Sequence, residues 1–296
     1  FDFDNDGMQD LAVTRTNGLE IFGGRPLEDP TMARLTAACG PLYSLPQTPA
    51  STYGPVALGD LNGDGCDEVA VRYGATNLNL PDQLVTPNGV IIVFGASASG
   101  ACGASTEPTF VRISGEADVG LSSMQLGFGV TYAGRVLGDA RRFVAVSARI
   151  YPYLGERQPV VLLFDVQQLL TKRPPSGGAL VGAVGDGLTP IPVMYKERAP
   201  QLGRALAGNV DLTGDGVVDL VVSAPGANVN GDGTGAVFVF AGGPMLQGPR
   251  PSALTMVGDP RERGLFGQEV SLFAGGGGLP ITLGVGAPVS YRSGTA

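Results

Sequence analysis

The sequence predicts an all-β chain built from repeated small antiparallel sheets, and three observations point there. The first is an acidic loop that recurs in one register. Asp2 to Asp10 runs into Leu-Ala-Val, Asp60 to Glu68 into Val-Ala-Val, and Asp211 to Asp219 into Leu-Val-Val. The second is composition. The 296 residues include 47 Gly and 23 Pro, and only 16% are charged. That mix suits short strands joined by tight turns, while a hydrophobic fraction of 43% argues against disorder. The third is a set of short apolar runs, such as Val90–Phe94 and Val237–Phe240, of the kind found in strands covered on both faces. The length fits one large all-β domain or two smaller ones.

Each acidic loop places oxygen-bearing side chains at positions 1, 3, 5 and 9 and a glycine at position 6. Alternate residues of a tight loop can point inward together, and Gly permits the backbone reversal. The ion that takes such an all-oxygen set is Ca²⁺, a hard cation with six to eight ligands at roughly 2.3–2.6 Å. The candidate ligands in the first loop are Asp2, Asp4, Asp6, the Met8 carbonyl and Asp10. In the second they are Asp60, Asn62, Asp64, the Cys66 carbonyl and Glu68. In the third they are Asp211, Thr213, Asp215, the Val217 carbonyl and Asp219, with Thr213 the weakest donor. An EF-hand starts the same way but needs a bidentate Glu at position 12. Here that position holds Val13, Val71 and Val222, each inside a strand-like run. A turn that binds nothing is the competing reading for any single copy, and three copies in register argue against it. About three Ca²⁺ sites are therefore expected.

Composition narrows the function classes. A formal net charge of −8 and the lack of a basic patch argue against a nucleic-acid partner. The chain has no His, so a His-based triad, ligand or general base is excluded. Cys39, Cys66 and Cys102 have no CxxC spacing, which removes support for zinc or thioredoxin-like chemistry. No apolar run approaches the ~18 residues of a transmembrane segment. Loops of this type matter mainly where calcium is millimolar, outside the cell. Phe1 already stands at a calcium loop, so the chain reads as a fragment or processed piece of a longer polypeptide.

Further markers accompany the loops. An aromatic residue or Leu followed by Gly stands upstream, at Tyr53-Gly54, Phe128-Gly129, Leu202-Gly203 and Phe266-Gly267. Downstream come Ser223-Ala-Pro-Gly226, Gly286-Ala-Pro288 and the worn Ser147-Ala-Arg149. An apolar strand then ends near Gly23, Gly95, Asp165 and Gly242. These markers divide the chain into approximate repeats 1–52, 53–126, 127–201, 202–265 and 266–296, the first and last incomplete. A complete repeat has room for four short strands. The third has lost the cage, with only Asp139 acidic between Arg135 and Phe143, and the fifth has glycines and no carboxylate over 274–282.

The combination of F-G, D-x-N-x-D-G-x-x-D and G-A-P resembles the FG-GAP repeat of integrin α-subunit β-propellers and their bacterial relatives. The resemblance implies a β-propeller of four-stranded antiparallel blades, with the calcium loop joining strands 1 and 2 on the lower face. Partners bind the upper face in that family, and seven blades are common there. About five repeats are present, so either more blades lie outside the chain or the ring is smaller.

The resulting expectation is a calcium-stabilised extracellular or cell-surface module for recognition or adhesion, not an enzyme, with a protein or glycan partner on the upper face. The other readings are a structural subunit of a surface assembly and the propeller domain of a secreted polysaccharide- or lipid-acting enzyme. Candidate partner-binding residues are Tyr151, Tyr153, Arg157, Tyr195 and Arg198, types enriched at interface hot spots and set on connections that carry Pro, Gly or charge. Asn228–Thr234 is a further upper connection. With Cys66 in a 1–2 loop and Cys102 in the 3–4 connection of the same repeat, a disulfide between them is reasonable, leaving Cys39 over.

Overall fold

The apolar triplet behind each acidic loop is β-branched or Leu-rich, and the next apolar run in the chain is its antiparallel partner. The computed structural model of the chain describes residues 1–15, 18–24, 41–45, 51–76, 85–96, 98–99, 104–105, 108–115, 122–152, 158–183, 186–193, 201–229, 233–247, 252–259, 265–273 and 281–287.

The first sheet is an antiparallel meander of β1 (Leu11–Arg15), β2 (Gly18–Phe22) and β3 (Tyr43–Ser44). The second runs through β4 (Ser51–Gly59), β5 (Glu68–Thr76) and β6 (Val85–Val93). A two-stranded ribbon, β7 (Ala98–Ser99) with β8 (Ala104–Ser105), precedes its fourth strand, β9 (Phe110–Ser114). Next come β10 (Ser122–Gly134), β11 (Phe143–Pro152) and β12 (Gln158–Asp165). The short helix α1 (Val166–Leu170) and β13 (Gly178–Gly182) follow, then β14 (Ile191–Val193), which completes the third sheet beside β12. The fourth sheet is β15 (Leu206–Val210), β16 (Asp219–Ala224), β17 (Ala236–Phe240) and β18 (Leu254–Val257). A hairpin of β19 (Glu269–Phe273) and β20 (Thr282–Gly286) is the described part of the fifth.

One strand departs from the four-strand repeat. Between β12 and β14 the chain makes an excursion, and β13 pairs in parallel with β9. The second sheet therefore has five strands in the order β13-β9-β6-β5-β4. Contacts divide the chain accordingly. One compact unit holds Phe1–Asp118, Gln125–Gly127 and Val166–Thr189, and the other holds Val119–Met124, Phe128–Asp165 and Pro190–Ala296.

Within each unit, successive sheets pack face to face. In the first, Leu19, Ile21 and Tyr43 meet Val69, Val71, Tyr73, Ile91 and Val93. In the second, strand alternation sorts the fourth sheet between two cores. Leu220, Val222, Ala236, Phe238 and Phe240 share a cluster with Phe143, Ala145, Val161 and Leu163 of the third sheet. Val221, Val237 and Val239 face Val270, Leu272, Leu283 and Val285 of the fifth. Every residue of β16 and β17 is buried, which is why these strands read as unbroken apolar runs. Burying each Val, Leu or Phe contributes about 1.5–3 kcal/mol.

The upstream glycine marks where neighbouring sheets come closest. Gly203 has a φ of +83°, and a Cβ there would stand 2.6 Å from the Ser147 Cβ. Ser147 is buried and accepts from the Gly129 N–H at 2.6 Å while donating to the Gly203 carbonyl at 2.6 Å. Ser223 accepts from the Ala205 N–H at 2.8 Å in the same way. The bond from Gly129 to Ser147 matches that from Ala205 to Ser223, so the counterpart of Gly203 in the third sheet is Gly127 (φ +95°) rather than Gly129. The marker there is Leu126-Gly127. Gly203→Ala should cost about 2–4 kcal/mol, from left-handed strain plus overpacking. Gly177 is also left-handed, but no atom lies within 4 Å of where its Cβ would stand. Ala there should cost only about 1–2 kcal/mol. Urea unfolding of both variants checks the difference.

Candidate functional site

The three acidic loops share one hydrogen-bond plan. Position 1 folds the loop around itself. Asp2 accepts the amides of Asp6 (3.1 Å) and Gly7 (2.9 Å). Asp60 accepts those of Gly63 (2.6 Å) and Gly65 (3.0 Å), and Asp211 those of Gly214 (2.6 Å) and Gly216 (2.8 Å). These donors hold the Asp211 carboxyl below its ordinary value, the Gly216 amide most of all. Position 5 accepts the amide of position 7: Met8 to Asp6 at 2.8 Å, Cys66 to Asp64 at 2.9 Å and Val217 to Asp215 at 2.9 Å.

Position 9 is the buried anchor. Asp10 accepts the Phe3 amide at 2.6 Å, Glu68 the Leu61 amide at 2.6 Å and Asp219 the Leu212 amide at 2.7 Å. Asp10 also takes the Gly24 amide at 2.8 Å, and Asp219 the Gly242 amide at 3.0 Å, just beyond the partner strand. Those glycines have no room for a side chain. A Cβ at Gly24 would collide with the Gln9 carbonyl, and one at Gly242 with the Val218 carbonyl. Gly95 in the second sheet is equally tight against the Asp67 carbonyl, at 2.7 Å. Position 8 adds a clasp between the first two loops: Asp67 donates its amide to the Asp2 carbonyl at 2.7 Å and accepts the Asp2 amide at 2.9 Å.

The remaining oxygens converge. Ligand atoms of Asp2, Asp4 and Asp10 lie within 4.8 Å of one another, as do those of Asp211, Asp215 and Asp219. Asp4 is only 6% exposed, and its Oδ1 has no hydrogen-bond partner. Burial, followed by the Asp10 and Asp6 charges, raises its carboxyl to about 6. Burial also raises Asp10. An all-carboxylate cage with a buried, unmatched oxygen fits a hard divalent cation. Asp6 is outside the first trio, its Oδ1 engaged by the Met8 amide. Thr213 sits beside Asp219, its hydroxyl 3.4 Å from Oδ1.

The second loop follows the plan but forms no such trio. Its Asn62 side-chain amide donates to Asp64 at 2.9 Å and to Glu68 at 3.1 Å. Glu68 is fully buried, and burial raises it to about 8 against the pull of the Leu61 amide. The third repeat shows the plan without the cage. Phe143, buried, begins its second strand where the other loops have a carboxylate. Asp139 keeps the position-5 bond, to the Arg141 amide at 2.9 Å, and pairs with the Arg141 guanidinium at 2.6 Å.

The other candidates are placed only in part. Cys66 is buried, and Cys102 and Cys39 lie outside the described residues. Tyr151 falls within β11, since Ile150 still pairs with Gln158, so the 2–3 connection starts later than the sequence suggests. Its side chain, with Tyr153, Arg157, Tyr195 and Arg198, lies outside the described residues. In the connection from β16 to β17, Asn228 accepts the Gly233 amide at 3.2 Å.

A model of the FG-GAP-like repeat matches residues 2–71, and a model of the FG-GAP repeat matches 203–240. The chain carries FG-GAP repeats. Both matches contain an acidic loop together with the hairpin behind it. FG-GAP repeats imply a β-propeller, and the antiparallel sheets are its blades. No curated protein matches the chain.

The cage electrostatics have a sign that can be checked. A carboxyl raised in the folded state favours the fold below its ordinary range and loses that contribution as pH rises through about 6 for Asp4 and about 8 for Glu68. Were Ca²⁺ to take the proton's place, its gain in melting temperature should keep growing from pH 4.5 to pH 8. A gain that levels off near pH 5 would contradict these environments. Asp4→Asn should cross over: a higher melting temperature than the parent in chelator and a lower one in millimolar calcium, read by thermal denaturation.

Proposed function

We propose that this chain is a calcium-stabilised FG-GAP propeller module that serves as a rigid, non-enzymatic recognition platform outside the cell. The observation that carries the metal half is the first cage, where the buried Asp4 Oδ1 stands unpartnered among Asp2 and Asp10. Asp2, Asp4 and Asp10 of the first loop and Asp211, Asp215 and Asp219 of the third would hold Ca²⁺, with Asp60, Asp64 and Glu68 as the second set. The bound ion supplies charge neutralisation and a cross-link from loop to strand.

Support for the recognition half is indirect. FG-GAP repeats occur generally in extracellular or cell-surface proteins. The carboxylates of the acidic loops are also poorly suited to acid–base catalysis, because backbone amides engage Asp2, Asp10, Asp60, Glu68, Asp211 and Asp219. Their geometry serves loop shape. The partner, a protein or glycan, would use the edge of the blades opposite the acidic loops. Among the described residues no helix is long and apolar enough to cross a membrane.

Thermal unfolding tests the metal half. At about 1 mM free Ca²⁺ and a site Kd of about 10–100 µM, linkage stabilises the fold by roughly 1.4–2.7 kcal/mol per site. The melting temperature should drop clearly in chelator and be restored by Ca²⁺ far better than by Mg²⁺, whose small octahedral shell suits such a cage poorly. Identical curves with and without chelator would overturn it.

A further inference from the structure

The excursion that adds β13 to the second sheet also brings a cation to the second acidic loop. Arg173 follows α1 and is held from three sides. Its Nε donates to the buried Thr109 hydroxyl at 2.8 Å. Its guanidinium carbon lies 4.9 Å from the centroid of the Phe94 ring. Its Nη1 stands 3.8 Å from Asp64 Oδ2, at position 5 of the loop. The side chain is 31% exposed and Asp64 is 41% exposed, so water screens the interaction strongly.

This loop differs from the other two in a consistent direction. The first and third loops each bring three carboxylates within 4.8 Å, and the second does not. The Asn62 amide occupies the gap between Asp64 and Glu68 with its donor end. The loop already has internal partners where the first loop leaves a bare oxygen.

We propose that Arg173 is a tethered counter-cation of the second loop, which makes that loop the weakest calcium site of the three and lets it keep its shape when calcium is scarce. The inference rests on the calcium reading above. A unit positive charge about 6 Å from a divalent ion, at an effective dielectric of about 80, opposes binding by about tenfold. The first and third cages, beside which the described residues place no ion pair, would fill first. The Thr109 and Phe94 contacts hold the guanidinium beside Asp64 at any calcium concentration, so its charge would oppose binding throughout.

Calorimetric titration of the full chain with Ca²⁺ tests this. Asp60→Asn should remove the weakest binding class and leave the tighter ones. Arg173→Gln should tighten that weakest class about tenfold without moving the others. Arg173→Met, which keeps an unbranched apolar stem without the charge, should do the same. Arg173→Lys retains the charge and should stay within about twofold of the parent. Affinities that ignore the charge at 173, or loss of the tightest class in Asp60→Asn, would overturn the proposal while leaving calcium binding intact. No binding at any loop would remove the calcium reading and this inference together.

Discussion

A carboxylate buried at the mouth of a β-hairpin has to be satisfied and neutralised, and the acidic repeats are built around that requirement. Asp10, Glu68 and Asp219 each stand where a turn becomes a strand, and each takes a loop amide. Those bonds are short and charge-assisted, so they fix the turn firmly. They do not cancel the charge. A buried anion without a counter-charge is costly, and the neighbouring aspartates add like charge. The same anchor that shapes the loop therefore favours a neutralising partner, a proton or, on the proposed calcium reading, the metal ion. Where a strand-exit glycine also donates, as Gly24 and Gly242 do, the anchor couples the 1–2 turn to the far end of the third strand.

Stacking of the sheets follows a second constraint, the closeness of adjoining backbones. The third and fourth sheets approach until a serine of one strand bonds the backbone of the next blade, as Ser147 does at Gly203. Only a residue without a Cβ fits at that contact. The loop anchor fixes register at one edge of the blade, and the glycine contact sets spacing nearer the other. Between them lie apolar strands such as β17, buried on both faces, whose side chains alternate between two cores.

These two constraints also mark what could be read from the sequence. The acidic loops and the doubly buried strands depend on residues close together in the chain, and they leave periodic traces. The excursion does not. Gly178-Ala-Leu-Val-Gly182 has little strand character of its own, and its partner β9 lies far away in sequence. Phe128-Gly129 looks like a better marker than Leu126-Gly127, but the positive φ belongs to Gly127. The position-9 carboxylate was legible as a ligand, whereas its bond to the exit glycine needed the fold. Tyr151 read as a loop residue because Pro152 and Tyr153 follow it, yet strand pairing carries on through Ile150.

The third repeat separates the two jobs of the acidic loop. Its turn keeps the position-5 carboxylate, and Asp139 makes the same bond two residues on as Asp6, Asp64 and Asp215 do. At the strand mouth, however, Phe143 replaces the anchor and joins the apolar cluster with Leu137, Val161 and Leu220. With no anion buried there, no external cation is required, and the one remaining carboxylate meets the Arg141 guanidinium. Arg141 in turn lies 5.3 Å from the Phe143 ring centroid. The second loop stands between these cases: its anchor is still a carboxylate, but an arginine from elsewhere in the chain already stands beside Asp64 at position 5. In the four described loops, the hairpin closes on either a buried carboxylate or a buried ring. The residue at the start of the second strand decides which.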